Sequence, residues 1–121
     1  AVFWNQLNSK NAEEAEKFYA ATLGWTFDSM PGPDGGTYYV AKVGDEMVAG
    51  LFTMEGPMFE NVPEHWFTYF TVDDVDAAAK DAVANGGKIL REPFDVPGAE
   101  RFVIVEDALG TAQGWATPSE E

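Results

Sequence analysis

The 121-residue sequence contains no cysteine and a single histidine, His65. The first absence excludes disulfides, thiolate nucleophiles and cysteine-ligated metals, and fits a reducing cytoplasm, the expected compartment. The second leaves no pair of imidazoles for a histidine-based metal site and one candidate base for a Ser-His-Asp arrangement. Positive charge is scarce as well. Seven Lys and Arg stand against 21 Asp and Glu, a net charge of −14. Such a field repels nucleic acid and anionic membranes, so neither is expected as a partner. The opening AVFWNQL has no basic n-region and no long apolar run follows it, so neither a secretory leader nor a membrane span is expected.

What is present suffices for one folded domain, 1–121. Hydrophobic residues make up 45% of the chain and aromatics 14%, too many for a disordered polymer. The acids are scattered (Glu13, Glu14, Glu16, Asp73, Asp74, Asp76, Glu120, Glu121), which reads as a hydrated or salt-adapted surface first. Attraction of a basic ligand is the second reading.

Residues 2–8 alternate as a strand. Asn11 suits a helix N-cap with Glu14 as reciprocal partner, and Ala12, Ala15, Phe18, Tyr19, Thr22 and Leu23 recur at helical spacing up to Gly24, the C′ glycine. Strands follow at 25–30, 37–43 and 46–54, with a loop at 31–36 and a hairpin across Gly44-Asp45. The order then repeats. A strand at 66–72 leads to a helix capped by Asp74, with Val75, Ala78, Ala79, Ala82 and Val83 on one face, ended by Asn85-Gly86-Gly87. Extended structure resumes at 88–90, a loop covers 93–98, and strands at 101–105 and 111–116 close the unit. A fixed offset of 63 carries Asn11 onto Asp74, Ala15 onto Ala78, Gly24 onto Gly87 and Val40 onto Val103. The reading is α+β, two tandem βαβββ modules of about 1–55 and 65–118 joined by a linker at 56–64.

These segments also resemble a family. Asn11 followed by Phe18-Tyr19 and Leu23-Gly24-Trp25 resembles the first-helix signature of the glyoxalase and bleomycin-resistance group of the vicinal oxygen chelate superfamily. Val72-Asp73-Asp74-Val75-Asp76 looks like the start of its second helix. Glu106-Asp107-Ala108-Leu109-Gly110 resembles its Asp-Pro-x-Gly turn, with alanine in place of proline. The resemblance covers nearly the whole chain, in the flavour of short proteins related to lactoylglutathione lyase. It implies a curved mixed sheet folded into a U-shaped cleft, where metal enzymes of the family hold an ion by four side chains on the first and last strands of each module. On the family pattern those positions are Trp4, Leu51, Phe67 and Gly114, none of which offers a donor. No metal or cofactor is therefore expected, and enolisation chemistry of the lactoylglutathione type is disfavoured.

Period-2 alternation turns Trp4, Gln6 and Asn8 toward the cleft on the first strand, and Phe67, Tyr69 and Thr71 on the fifth, while Thr68, Phe70 and Val72 pack on the second helix. With Leu51 and Gly114, the set Trp4, Gln6, Asn8, Phe67 and Tyr69 forms the expected ligand-binding site. Trp4 and Phe67 could sandwich a planar ligand, and a basic one would gain cation–π attraction. The competing reading makes these aromatics a plain core. His65 reads as a rim residue beside Glu64, and 92–98 as an ordinary connection rather than a lid. Three functions remain open. One is a metal-free binding protein of the bleomycin-resistance type, taking a cationic aromatic ligand and pairing as a homodimer. Another is a divergent lyase, isomerase or dioxygenase using residues such as Glu46, Glu55, Glu64 or His65. The last is an interaction module with its cleft plugged.

Overall fold

The computed structural model describes residues 1–31, 37–96 and 100–118. Along the chain these form β1 (Val2–Ser9), α1 (Ala12–Leu23), β2 (Thr26–Pro31), β3 (Thr37–Val43), β4 (Glu46–Thr53) and a 3-10 turn at Pro57–Phe59. Then come β5 (His65–Thr71), α2 (Val75–Ala84), β6 (Lys88–Asp95), β7 (Arg101–Glu106) and β8 (Ala112–Thr117). The chain is α+β, with βαβββ written twice. Most of the loop expected at 31–36, and the end of that expected at 93–98, lie outside the described residues.

The chain divides into two compact units, Trp4–Trp66 and a second made of Ala1–Phe3 with the residues from Phe67 onward. In the Trp4–Trp66 unit the strand order is β2-β3-β4-β1, antiparallel except that β1 runs parallel to β4. In the other the order is β5-β8-β7-β6, with β5 parallel to β8.

Local chemistry explains the helices. The Asn11 side chain accepts from the Glu14 amide at 3.1 Å, and Gly24 closes α1 at φ 71°, where a side chain would be strained. The reciprocal arm expected of Glu14 is filled otherwise, because the Asn11 amide donates to Ser9 Oγ at 3.1 Å. On α2, Asp74 Oδ1 accepts from the amides of Asp76 and Ala77, and Thr117 Oγ1 takes the Val75 amide, so three orphan donors are satisfied. In the β7–β8 turn, Asp107 Oδ1 accepts from the Leu109 and Thr111 amides while Gly110 takes φ 91°. Those backbone donors hold the Asp107 carboxyl below its ordinary value, and the same geometry explains the Asp-x-x-Gly pattern.

Each unit has its own core. Leu7, Ala12 and Leu51 pack with Ala15, Tyr19, Phe27 and Tyr39 in the first, and Val75, Ala79, Val103 and Val105 with Val72, Ile89 and Trp115 in the second. Phe18, Leu23 and Val83, expected on buried helix faces, are instead more than half exposed, and Phe70 is exposed rather than packed on α2. Tyr19 is the inward ring of the Phe-Tyr pair, and Trp25 stacks on it at 5.2 Å between centroids. On the surface of the second unit, Arg101 bridges Asp76 and Asp95, and holds the Asp76 carboxyl below its ordinary value.

The repeat is less uniform than a single offset. Gln6 faces Gly50 on the parallel partner strand, and Tyr69 faces Gly114 in the same way. The hairpins are therefore one residue further apart than the helices, so Val40, which faces Gly50, corresponds to Ile104, which faces Gly114, rather than to Val103. Strand β6 extends to Asp95 through Pro93, with register irregularities around it, so 93–95 belongs to a strand rather than a loop.

Candidate functional site

In the Trp4–Trp66 unit, the sheet face opposite α1 carries one continuous file of hydrogen bonds. Trp4 Nε1 donates to Tyr38 Oη at 2.9 Å, and Tyr38 Oη donates to Gln6 Oε1 at 2.9 Å. Gln6 Nε2 donates to Asn8 Oδ1 at 2.8 Å, Asn8 Nδ2 lies 3.0 Å from His65 Nε2, and His65 Nδ1 lies 2.8 Å from the Pro63 carbonyl oxygen. Both ends fix the direction. An indole N–H only donates and a carbonyl oxygen only accepts, so each proton in between points from Trp4 toward Pro63. His65 accordingly accepts from Asn8 through Nε2 and carries its proton on Nδ1. Burial raises the Tyr38 phenol above its ordinary value and favours the protonated hydroxyl, against the lowering effect of the hydrogen bond from Trp4.

Alternation thus brings the expected residues Trp4, Gln6 and Asn8 together on one face. Leu51 is not among them. It is 2% exposed and packs with Leu7 under α1, and the residue that shares the face is its neighbour Gly50. A Cβ on Gly50 would stand 1.7 Å from Tyr38 Oη and 2.7 Å from Trp4 Nε1. The two rings meet directly above that bare backbone. Tyr38 and Gly50 went unnoticed in the sequence, although a glycine inside a strand is a known sign of close approach.

His65 opens β5 rather than preceding it, and its bonds to Asn8 and Pro63 make it part of the file instead of a plain rim residue. Beside it, Glu64 clamps the linker to the β1–α1 turn. One carboxylate oxygen accepts from Ser9 Oγ at 2.5 Å and the other from the Lys10 amide at 2.7 Å. Ser9 is 1% exposed, so this hydroxyl is a structural anchor. Two hollows of about 290 and 440 Å³ lie elsewhere on the same unit, the first lined by Leu7, Ser9, Glu14 and Phe18, the second by Lys10, Met54, Pro57 and Phe59.

In the second unit, the face opposite α2 is aromatic. Phe67 meets Tyr69 edge-on at 5.2 Å, Tyr69 meets Phe102 at 5.6 Å, and Phe102 stacks with Phe94 at 5.8 Å. The Tyr69 ring lies so close over Gly114 that an added Cβ would be 2.2 Å from Cδ1. Arg91 caps the row, its guanidinium carbon 3.7 Å from the Phe94 centroid. These residues do not fit a divalent ion. In the Trp4–Trp66 unit, Trp4 and Gly50 bring no donor, Gln6 and Asn8 offer only amide oxygens turned into the file, and Glu64 is bound to Ser9 and Lys10; in the other unit, Phe67 and Gly114 bring no donor either. Among the described residues no three His, Asp or Glu side chains converge. No helix among them is long and apolar enough to cross a membrane.

Residues 2–112 match the family model described as the glyoxalase/bleomycin resistance protein/dioxygenase superfamily. The glyoxylase-named protein CFP32 of Mycobacterium tuberculosis is 43% identical over 109 residues, which cover 90% of this chain and 41% of that protein. The anthracycline biosynthesis protein DnrV of Streptomyces peucetius is 28% identical over 123 residues, covering 93% of this chain and 45% of its own. The chain thus spans less than half the length of these curated relatives. Among solved structures, a Bacillus halodurans protein covers 100% of the chain with a TM-score of 0.74 at 15% identity. A Streptomyces coelicolor methylmalonyl-CoA epimerase with bound 2-nitronate-propionyl-CoA covers 99% with a TM-score of 0.72 at 20% identity. The chain belongs to the glyoxalase/bleomycin resistance protein/dioxygenase superfamily.

Proposed function

We propose that this chain binds a small planar ligand without a metal, on the face built by Trp4, Gln6, Asn8 and Tyr38, and that the ligand's charged part is cationic. The observation that carries this reading is the directed hydrogen-bond file. It sets an indole, a phenol and two carboxamides, bonded to one another, on the strand where the family's metal enzymes carry a metal ligand. The net charge of −14 adds a long-range pull on a basic group without placing a carboxylate in the file. A relative named for anthracycline biosynthesis and an epimerase structure holding a CoA derivative support small organic molecules as the ligand class. The opposing reading, a face plugged by its own side chains, draws on the Tyr38 and Trp4 rings meeting over Gly50.

Calorimetric titration with proflavine, a planar cation, separates the two. The protein, treated with EDTA, is expected to bind at 20 mM salt with affinity falling about tenfold or more at 300 mM. Absence of heat at low salt would overturn the cationic character of the ligand, and failure of neutral planar molecules as well would establish the plugged face. Binding that appears only after a divalent metal is restored would replace it with a metal-dependent site.

A further inference from the structure

The file constrains the ligand further than net charge does. Counting valences, Tyr38 spends its proton on Gln6, and Gln6 and Asn8 each spend one amide N–H inside the file. Each carboxamide has two N–H donors, so one remains on each. They sit two residues apart on the same face of β1, roughly 7 Å along the strand. No carboxylate, ammonium or guanidinium is part of the file between Trp4 and Asn8. What seats there is therefore best matched by an uncharged group that accepts hydrogen bonds.

The orientation of those amides is held from both ends of the file. The Pro63 carbonyl holds the His65 end, and at the other end the phenol accepts from Trp4 and passes its own proton to Gln6. That proton fixes Gln6 Oε1 inward and its Nε2 toward Asn8, which in turn orients the Asn8 amide toward His65. Gly50 makes the arrangement possible by leaving the space that the Tyr38 hydroxyl fills.

We propose that Tyr38 is the specificity-determining residue of this face, locking the Gln6 and Asn8 carboxamides so that their remaining N–H groups read oxygen acceptors on an uncharged planar ring system, while any cationic part of the ligand stays outside. This rests on the face being the binding site, and supplies the chemical class of the seated group. The test compares two neutral planar probes of the same three-ring outline, 1,4-dihydroxyanthraquinone and anthracene, by tryptophan fluorescence quenching of the full chain. The wild type is expected to prefer the quinone by about tenfold or more, the scale of one neutral hydrogen bond gained or lost. In Tyr38→Phe, which keeps the ring, the preference should fall below about threefold with anthracene affinity unchanged. Asn8→Ala, which removes one of the two reading groups, should do the same, and serves where Tyr38→Phe fails to show a cooperative urea transition. Equal affinities for the two probes in the wild type, or an undiminished preference in either folded variant, would overturn the role of Tyr38 while leaving the binding face intact. Failure of these probes and of proflavine alike would overturn the face itself.

Discussion

Two glycines carry opposite demands. Gly24 ends α1 with φ 71° and has open space around it, so its requirement is conformational. Gly114 has no such backbone constraint and is held by contact, with the body of the Tyr69 ring within 2.3 Å of where a Cβ would stand. At Gly50 the nearest obstruction is the tip of Tyr38, 1.7 Å away, followed by Cζ at 2.6 Å. Overpacking of this kind costs about 1–3 kcal/mol, offset in part by the stiffer unfolded chain of alanine. Gly114→Ala is thus expected to lower stability in urea unfolding, and Gly50→Ala to lower it less while loosening the bond between Trp4 and Tyr38. Equal stability of Gly114→Ala and wild type would show that the Tyr69 ring moves aside freely. Of this site, Trp4, Gln6 and Asn8 were legible in the sequence because alternation along one strand suffices to group them. Tyr38 and Gly50 were not, since their meeting depends on the register between β3 and β4, which shifts between Ala41 and Lys42.

Elements whose ends are marked by local chemistry emerged from the sequence nearly to the residue. Asn11 and Asp74 act on amides two or three positions away and Gly24 through its own backbone angle, so spacing alone reveals them. Contacts between distant segments left no such trace. The Glu64 clamp on Ser9 and Lys10 spans 55 and 54 positions, and the slip in the repeat arises from bulged register rather than from any helix signal. The caps also differ in strength. Asp74 Oδ1 serves two amides of α2, whereas Asn11 Oδ1 serves one of α1. Asp74→Ala should therefore cost about 1–2 kcal/mol and Asn11→Ala about 0.5–1 kcal/mol, compared by thermal unfolding at pH 7. A reversed order would mean that the Thr117 bond to the Val75 amide already suffices to hold the start of α2.

At the scale of the molecule, 21 acids face seven bases, and among the described residues Lys42 pairs with Asp28 and Arg101 with Asp76 and Asp95. At a net charge of −14, self-repulsion works against the compact state. Raising sodium chloride from 20 to 500 mM at pH 7 is expected to raise the melting temperature by several degrees, since screening shortens to a few ångströms. A flat or falling Tm would show that the local pairs outweigh the global field. One more consequence belongs to the parallel pairings, β1 with β4 and β5 with β8. Hairpins zip from their turns, but a parallel partner must wait for the whole intervening chain to condense. Gly50 and Gly114 stand on those very seams, so during folding the strip of sheet beneath Tyr38 in one unit and Tyr69 in the other is expected to be the last part to knit together. The face proposed for recognition thus lies on the slowest-forming stitch of its unit.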